Sequence, residues 1–150
     1  MDLPIVELGI TGRDYAAVIR QLGEKLYAAG SVSDGYVDAV LEREKLLPTG
    51  LSLGAVCVAI PHTDDIAAIR QSAVAIGVLK ETVAFGSLVD PHEQLPVRVV
   101  FLLAMQDASR QLIALKYLMR AFQDKTVVRR LSQASSQEDI TALWQEIWQE

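Results

Sequence analysis

Ala55-Val-Cys-Val-Ala-Ile60 is the stretch that decides the fold, because all six residues are apolar and three are hydrophobes favoured in strands. A short continuous apolar run of this kind predicts a strand that is buried on both faces of a sheet. Pro61 ends the run, because proline donates no hydrogen bond to a neighbouring strand. His62 therefore lies just past the carboxyl end of a buried strand.

Other strand candidates lie on either side of this run. Residues 72–79 and 97–105 are further apolar stretches of strand length, and residues 3–8 could form a short strand. Residues 83–85 read as a short edge strand, followed by a loop over residues 86–96. The connections around residues 72–85 are short, which favours some antiparallel pairing there.

Helical spacing of apolar residues marks the segments between and after these strands. Gly30 stops the first helix, and the second is expected to begin near Ser33 or Asp34 and to end in a turn at Pro48 and Gly50. Later helices are expected to begin at a cap formed by Asp107 or Ser109 and at Ser135 or Ser136, with a short helix over Asp124–Leu131 between them. The four apolar stripes are Tyr15, Val18, Ile19, Leu22 and Leu26; Tyr36, Val37, Val40 and Leu41; Leu112, Leu115, Leu118, Met119 and Phe122; and Ile140, Leu143, Trp144 and Ile147.

Interleaved helices and buried strands predict the α/β class, with a mixed β-sheet flanked by helices on both faces. The 150 residues fit a single domain, residues 1–150. Net charge is -5, which argues against a nucleic-acid partner, because phosphate binding needs a basic face. No signal peptide is recognisable, and no apolar run approaches the roughly 20 residues that span a bilayer. A soluble, cytoplasmic protein is expected.

Cys57 is the one cysteine, so no disulfide can form within the chain, and one cysteine with two histidines cannot build a zinc cluster. We expect Cys57 to be a small buried hydrophobe. The sequence has no Gly-x-Ser-x-Gly elbow, no phosphate loop and no Gly-x-Gly-x-x-Gly motif. Nothing in it therefore predicts nucleotide binding by a familiar mechanism or a serine hydrolase.

His62 is the first candidate for chemistry, because a neutral imidazole is a nucleophile near pH 7 and can form a covalent intermediate. Arg43 offers a fork of donors that fits phosphate oxygens, and Thr63 offers a hydroxyl. Taken alone, each also fits an ordinary role: a surface histidine, a solvated arginine, and a turn residue or helix cap. For Asp64 and Asp65 a solvated loop at a helix N-terminus is the favoured interpretation.

A metal-dependent hydrolase is a second chemical hypothesis, with His62, Asp64, Asp65 and His92 as its candidate ligands. It is weak, because two adjacent acids point in different directions on most backbones. His92 lies in a polar segment and is interpreted as a surface-loop residue.

Two motifs together carry a family resemblance: Arg43-Glu-Lys-Leu-Leu-Pro-Thr-Gly-Leu51 and Ala59-Ile-Pro-His-Thr63. They closely resemble the active-site signature of the IIA (EIIA) domains of the fructose/mannitol class of the sugar phosphotransferase system. The resemblance covers nearly the whole chain and implies an α/β sandwich around a mixed sheet. It also implies that His62 accepts a phosphoryl group from the phosphohistidine of the carrier HPr, and that Arg43 neutralises its charge.

The resemblance further implies that the phosphoryl group passes to a cysteine of an EIIB component, and that the EIIB–EIIC pair phosphorylates a sugar or polyol during uptake. No metal or cofactor is implied, because the donor is already an activated phosphoramidate. Arg43, Thr63, Gln111 and loop amides would then donate hydrogen bonds to the phosphoryl oxygens. Partners that dock over His62 predict an apolar rim around it.

Gln111 departs from the family pattern, because many members carry a second histidine at the start of the helix after the last strand. Glutamine can donate a hydrogen bond to a phosphoryl oxygen but brings no positive charge. This change resembles the galactitol-type branch. An alternative within the same resemblance is a regulatory, non-transport EIIA, similar to the nitrogen-related proteins, that acts by phosphorylation-dependent protein binding.

Overall fold

The computed structural model describes residues 3–148. Its strands are β1 (Ile5–Ile10), β2 (Gly50–Ser52), β3 (Cys57–Ala59), β4 (Ala73–Gly86) and β5 (Gln94–Ala104). Its α-helices are α1 (Tyr15–Ala28), α2 (Tyr36–Leu46), α3 (Ala108–Ala121), α4 (Lys125–Gln133) and α5 (Gln137–Ile147). A short 3-10 helix, Ile66–Ala68, lies between β3 and β4.

The described strands form one five-stranded mixed sheet in the order β1-β4-β5-β3-β2. β1 runs parallel to β4, and β3 runs parallel to β5. β4 and β5 are antiparallel, as are β2 and β3. The predicted mixed α/β sheet and the predicted antiparallel pairing around residues 72–85 are therefore confirmed.

Two apolar layers cover the two faces of the sheet. Along β5 the side chains alternate between them: Val99, Phe101 and Leu103 join the layer under α3, α4 and α5. Val100 and Leu102 face the layer under α1 and α2. Because both faces are covered, the strand is apolar at almost every position, and each fully buried side chain contributes about 1.5–3 kcal/mol.

Most of the predicted helix starts are confirmed by the cap geometry. The side chains of Asp107, Asp124 and Ser136 accept hydrogen bonds from the first turns of α3, α4 and α5. The second helix begins later than predicted, at Tyr36, because Gly35 adopts a left-handed φ of 93° that only glycine takes without strain. Ser33 instead donates its backbone N–H to the carbonyl of Ala68, which ties this segment to the 3-10 helix.

Several predicted strand boundaries were wrong. Residues 83–85 are not a separate edge strand but the end of β4, which continues after a register shift between Val78 and Val83. Because β5 already begins at Gln94, the predicted loop 86–96 is shorter. Strand β3 is three residues long rather than six, and Gly50 belongs to β2 rather than to the turn.

The predicted apolar stripe of α3 is correct at Leu115, Leu118, Met119 and Phe122, which lie in or against the core, but wrong at Leu112. Leu112 is 69% exposed, whereas Gln111 beside it is only 7% exposed, and the helix buries Ala114 and Leu118. Cys57 is half-buried rather than fully buried. None of the helices between residues 3 and 148 combines the length and apolar character that crossing a membrane requires.

Candidate functional site

His62 lies where the chain leaves β3, and the backbone of the two preceding residues fixes its position. The carbonyl of Pro61 accepts a hydrogen bond of 3.0 Å from the backbone N–H of Leu103 in β5. The imidazole Nδ1 lies 2.7 Å from the carbonyl oxygen of Ile60. Because a carbonyl can only accept, Nδ1 carries the proton, and Nε2 is left with its lone pair.

His62 is only 5% exposed, so it is less accessible than a loop histidine was expected to be. Its Nε2 has no hydrogen-bond partner among residues 3–148. It is also not among the polar side-chain atoms of that part of the chain that are both unpaired and inaccessible to solvent. This nitrogen therefore keeps a small contact with solvent. The burial orients the ring and leaves one atom open.

Burial is the main reason why the pKa of His62 is lowered from 6.5. The hydrogen bond to Ile60 raises it, the positive charge of Arg43 lowers it, and the negative charge of Asp64 raises it. With the net shift downward, the ring is uncharged near neutral pH. The charges of Arg43 and Asp64 also act on this ring, so the structure brings all three side chains to one place.

Asp64 joins two donors from different helices. Its Oδ2 accepts from the Arg43 Nε of α2 at 3.2 Å, and its Oδ1 accepts from the Gln111 Nε2 of α3 at 3.2 Å. Arg43 and Gln111 were predicted as donors of one site, and the structure brings them to the same carboxylate. The interpretation of Asp64 as a solvated loop residue was incomplete, because it bridges these helices although its side chain is 76% exposed.

Gln111 has one half of its amide paired and the other half free. Its Nε2 donates to Asp64, whereas its Oε1 is buried without a partner among the described residues. Thr63 is 3% exposed, and its hydroxyl accepts from the backbone N–H of Asp65 at 3.0 Å. Asp65 in turn accepts from Ala67 and caps the 3-10 helix. These contacts fix the turn that follows His62.

Glu44 and Thr49 are buried and linked to Ile60, and both were missed at the sequence level. The Glu44 carboxylate accepts from the Thr49 backbone N–H at 2.8 Å and from the Thr49 hydroxyl at 2.9 Å. That hydroxyl accepts from the backbone N–H of Ile60 at 3.1 Å. A chain of hydrogen bonds thus runs from a buried acid to the residue whose carbonyl holds His62.

Burial raises the pKa of Glu44 to about 7, although the two bonds from Thr49 and the charge of Arg43 act in the opposite direction. The signal for this pair was present in the sequence, since both residues lie within the first motif. Their contact was hidden because it closes across the turn at Pro48.

His92 lies in the loop between β4 and β5 and is exposed, as predicted. Within residues 3–148 there is no group of three or more histidine, cysteine or acidic side chains that could hold a metal ion. The hypothesis of a metal-dependent hydrolase therefore lacks a ligand cluster in the part of the chain that the structure describes. What the site does offer is an uncharged, oriented imidazole beside a guanidinium and a carboxamide.

Comparison with known proteins shows the family of the chain. A family model for the EIIA 2 component of the phosphoenolpyruvate-dependent sugar phosphotransferase system matches residues 4–147. The galactitol-specific EIIA component of Escherichia coli K12 is 31% identical over 128 residues, which are 84% of this chain and 83% of that protein. The mannitol-specific EIICBA component of Pasteurella multocida is 29% identical over 140 residues, 92% of this chain but 21% of that protein.

Among solved structures, the complex of Escherichia coli enzyme IIA mannitol with phosphorylated enzyme IIB mannitol gives a TM-score of 0.74 at 28% identity. The match covers 94% of this chain and 94% of that chain. The fold and these similarities together define an α/β phosphocarrier. The chain belongs to the EIIA 2 family of the phosphoenolpyruvate-dependent sugar phosphotransferase system. It is a phosphotransferase that carries phosphoryl groups for sugar transport.

Proposed function

We propose that His62 is the residue that carries the phosphoryl group, accepted from phospho-HPr and passed to a cysteine of an EIIB component. The observation that carries this proposal is the orientation of the ring. Nδ1 donates to the Ile60 carbonyl at 2.7 Å, so the lone pair of Nε2 is the available nucleophile. The Nε2 lone pair attacks phosphorus, and the donor nitrogen leaves with the electron pair of the bond that breaks.

Arg43 and Gln111 are proposed as the donors that stabilise the phosphoryl oxygens. In a loose transition state the charge lies on the equatorial oxygens, so well-placed N–H groups contribute most of the stabilisation. Both side chains are already drawn together by Asp64. Thr63 is proposed as a weaker contributor, because its hydroxyl already accepts a bond from Asp65 and still has its own proton to donate.

An exposed apolar rim supports docking of a protein over this site. Leu112 and Ile113 follow Gln111 on α3 and are 69% and 46% exposed, and Ile66 in the 3-10 helix is 44% exposed. Apolar side chains around a polar centre are typical of surfaces that bind other proteins. Contacts of this kind between transient partners bury less than about 1,200 Å² in total.

The test of the site is phosphorylation in a defined mixture of phosphoenolpyruvate, enzyme I and HPr. The wild-type chain should take up label that is labile in acid and stable in base, and His62→Ala should take up none. His92→Ala is the matched control and should be labelled like the wild type. Label that persists on His62→Ala would refute the assignment.

The substrate system is proposed to be one for galactitol or for another polyol or fructose, acting through an EIIB–EIIC pair. The similarity to a galactitol-specific EIIA and the glutamine at position 111 support this choice. We further propose that residues 1–150 act as one EIIA domain in the cytoplasm, where the phosphoryl donor resides. Transfer from the phosphorylated chain to galactitol EIIB should be faster than to mannitol EIIB; equal rates would contradict the galactitol assignment.

A further inference from the structure

The carboxylate of Asp64 occupies the donors that a phosphoryl group on His62 would need. Each carboxylate oxygen accepts one hydrogen bond of 3.2 Å: Oδ2 accepts from the Arg43 Nε and Oδ1 from the Gln111 Nε2. Between residues 3 and 148, no other acceptor bonds the guanidinium of Arg43 or the amide nitrogen of Gln111. The resting site therefore already holds an anion, supplied by the chain itself.

A phosphoryl group on Nε2 changes this balance, because it places a second anion on a ring that the charges of Arg43 and Asp64 already affect. Like charges at short range repel, and the donors cannot serve both anions with full geometry. Both effects raise the free energy of the phosphorylated chain relative to the resting chain.

We propose that Asp64 is a positioning residue that holds Arg43 and Gln111 in the resting chain and opposes the phosphoryl group, so that phospho-His62 stays easy to transfer. This inference rests on the proposed function of His62. During transfer the Asp64 bonds to the two donors break, and bonds from those donors to phosphoryl oxygens form. No covalent bond of Asp64 changes. The proton stays on Nδ1, which continues to donate its hydrogen bond to the Ile60 carbonyl.

Asp64→Asn tests the proposal with little risk to folding, because the side chain is mostly exposed and the new amide keeps one acceptor oxygen. Asp65→Asn is the matched control: it removes the same charge from the next residue, whose side chain faces Ala67 and not the donors. The equilibrium constant for phosphoryl exchange with HPr and the rate of transfer to EIIB are measured for both variants and the wild type.

Asp64→Asn should raise the equilibrium constant toward the phosphorylated chain by about threefold to fivefold, the range of an exposed charge pair, and should slow transfer to EIIB. Asp65→Asn should leave both unchanged. An unchanged or lowered constant for Asp64→Asn, or an equal rise in both variants, would overturn the proposal. Failure of the proposed function would look different, since the wild type itself would then carry no label on His62.

Nuclear magnetic resonance adds a readout that does not depend on rates. The Arg43 Nε–H and Gln111 amide signals should shift on phosphorylation in the wild type, as their acceptor changes from a carboxylate to a phosphoryl oxygen. In unphosphorylated Asp64→Asn the same signals should already differ from the wild type. Signals that stay in place through phosphorylation would contradict the exchange of donors.

Discussion

The reactivity proposed for His62 depends on the charge of its imidazole as much as on its orientation. Burial and the nearby Arg43 both lower the pKa of this ring, and the Ile60 carbonyl and Asp64 oppose them. Only the uncharged ring has a lone pair to offer to phosphorus. At the residue scale, Arg43 thus has two roles, since it adds to the effect of burial in lowering the pKa of the ring and is proposed to meet the phosphoryl oxygens.

Arg43→Gln should raise the pKa of His62, because the substitution removes a positive charge that disfavours the imidazolium. The acid limb of the rate of phosphoryl acceptance should therefore move to higher pH. The maximal rate should also fall by about tenfold or more, because a charge-assisted donor is lost. Titration of the His62 ring protons and a pH–rate profile measure the two effects. Arg20→Gln, which removes an exposed ion pair with Asp38, is the control and should change neither the pKa of His62 nor the rate.

Glu44 gives a second prediction at the residue scale. Its pKa is raised from 4.5 to about 7, so the folded chain binds this proton more tightly than the unfolded chain does. Stability from this group is complete below pH 4.5 and is lost as the pH rises through about 7. Relative to Glu44→Gln, the wild type should lose on the order of 3 kcal/mol across this window.

Urea unfolding of the wild type and of Glu44→Gln at a series of pH values measures the difference in their free energies of unfolding. The titration of His62 cancels in this difference, because both chains carry that residue. A difference that is flat from pH 4 to pH 8 would contradict a raised pKa of Glu44. If the wild type instead gained stability relative to Glu44→Gln as the pH rises, the hydrogen bonds from Thr49 would lower the pKa of Glu44 by more than burial raises it.

At the scale of elements, α3 has two separate tasks along its length. Leu118 packs into the layer against β5, whereas Gln111 reaches the candidate site and Leu112 faces solvent beside it. The helix begins at the cap formed by Asp107, directly after β5. Its first turn is therefore placed by the sheet, which positions Gln111 near the end of β3.

Leu112→Gln should leave the free energy of unfolding within about 0.5 kcal/mol of the wild type, because the side chain makes little contact with the core. It should raise the Michaelis constant for phospho-HPr by about tenfold, with kcat little changed, if α3 forms part of the docking rim. Tyr27→Gln on α1, a similarly exposed apolar position, should change neither constant.

Leu118→Ala is the contrasting variant on the same helix, and it should lose about 2–5 kcal/mol of stability because Leu118 is fully buried. Denaturant unfolding and steady-state transfer kinetics distinguish the two effects. A large loss of stability in Leu112→Gln, or an unchanged Michaelis constant, would contradict the division of tasks along α3.

At the scale of the whole molecule, much of the fold could be predicted because both faces of the sheet are covered. Largely apolar runs such as residues 97–105 and the stripe from Ile140 to Ile147 can be recognised without any knowledge of their partners. Gln111 and Leu112 show the limit of this reasoning. The stripe of α3 predicts an inward Leu112, yet at this first turn of the helix the polar Gln111 is buried and the apolar Leu112 is exposed.

The candidate site could be predicted only in part, for a similar reason. His62 is marked by its place after a buried strand, and Arg43 by its motif. Asp64 could not be recognised, because its partners lie 21 and 47 positions away and are gathered by the sheet. The pair of Glu44 and Thr49 was hidden because its contact closes across a turn. The chemistry of a single side chain can be predicted from its residue type, whereas contacts between distant elements can be known only once the fold is known.

The central claim, that Nε2 of His62 carries the phosphoryl group, can be tested directly on the phosphorylated chain labelled with ¹⁵N in its histidines. Nuclear magnetic resonance measures which ring nitrogen is coupled to phosphorus. We expect coupling to Nε2 of His62, with the proton retained on Nδ1 and bonded to Ile60. Phosphorus coupled to Nδ1, or to a nitrogen of His92, would contradict the account.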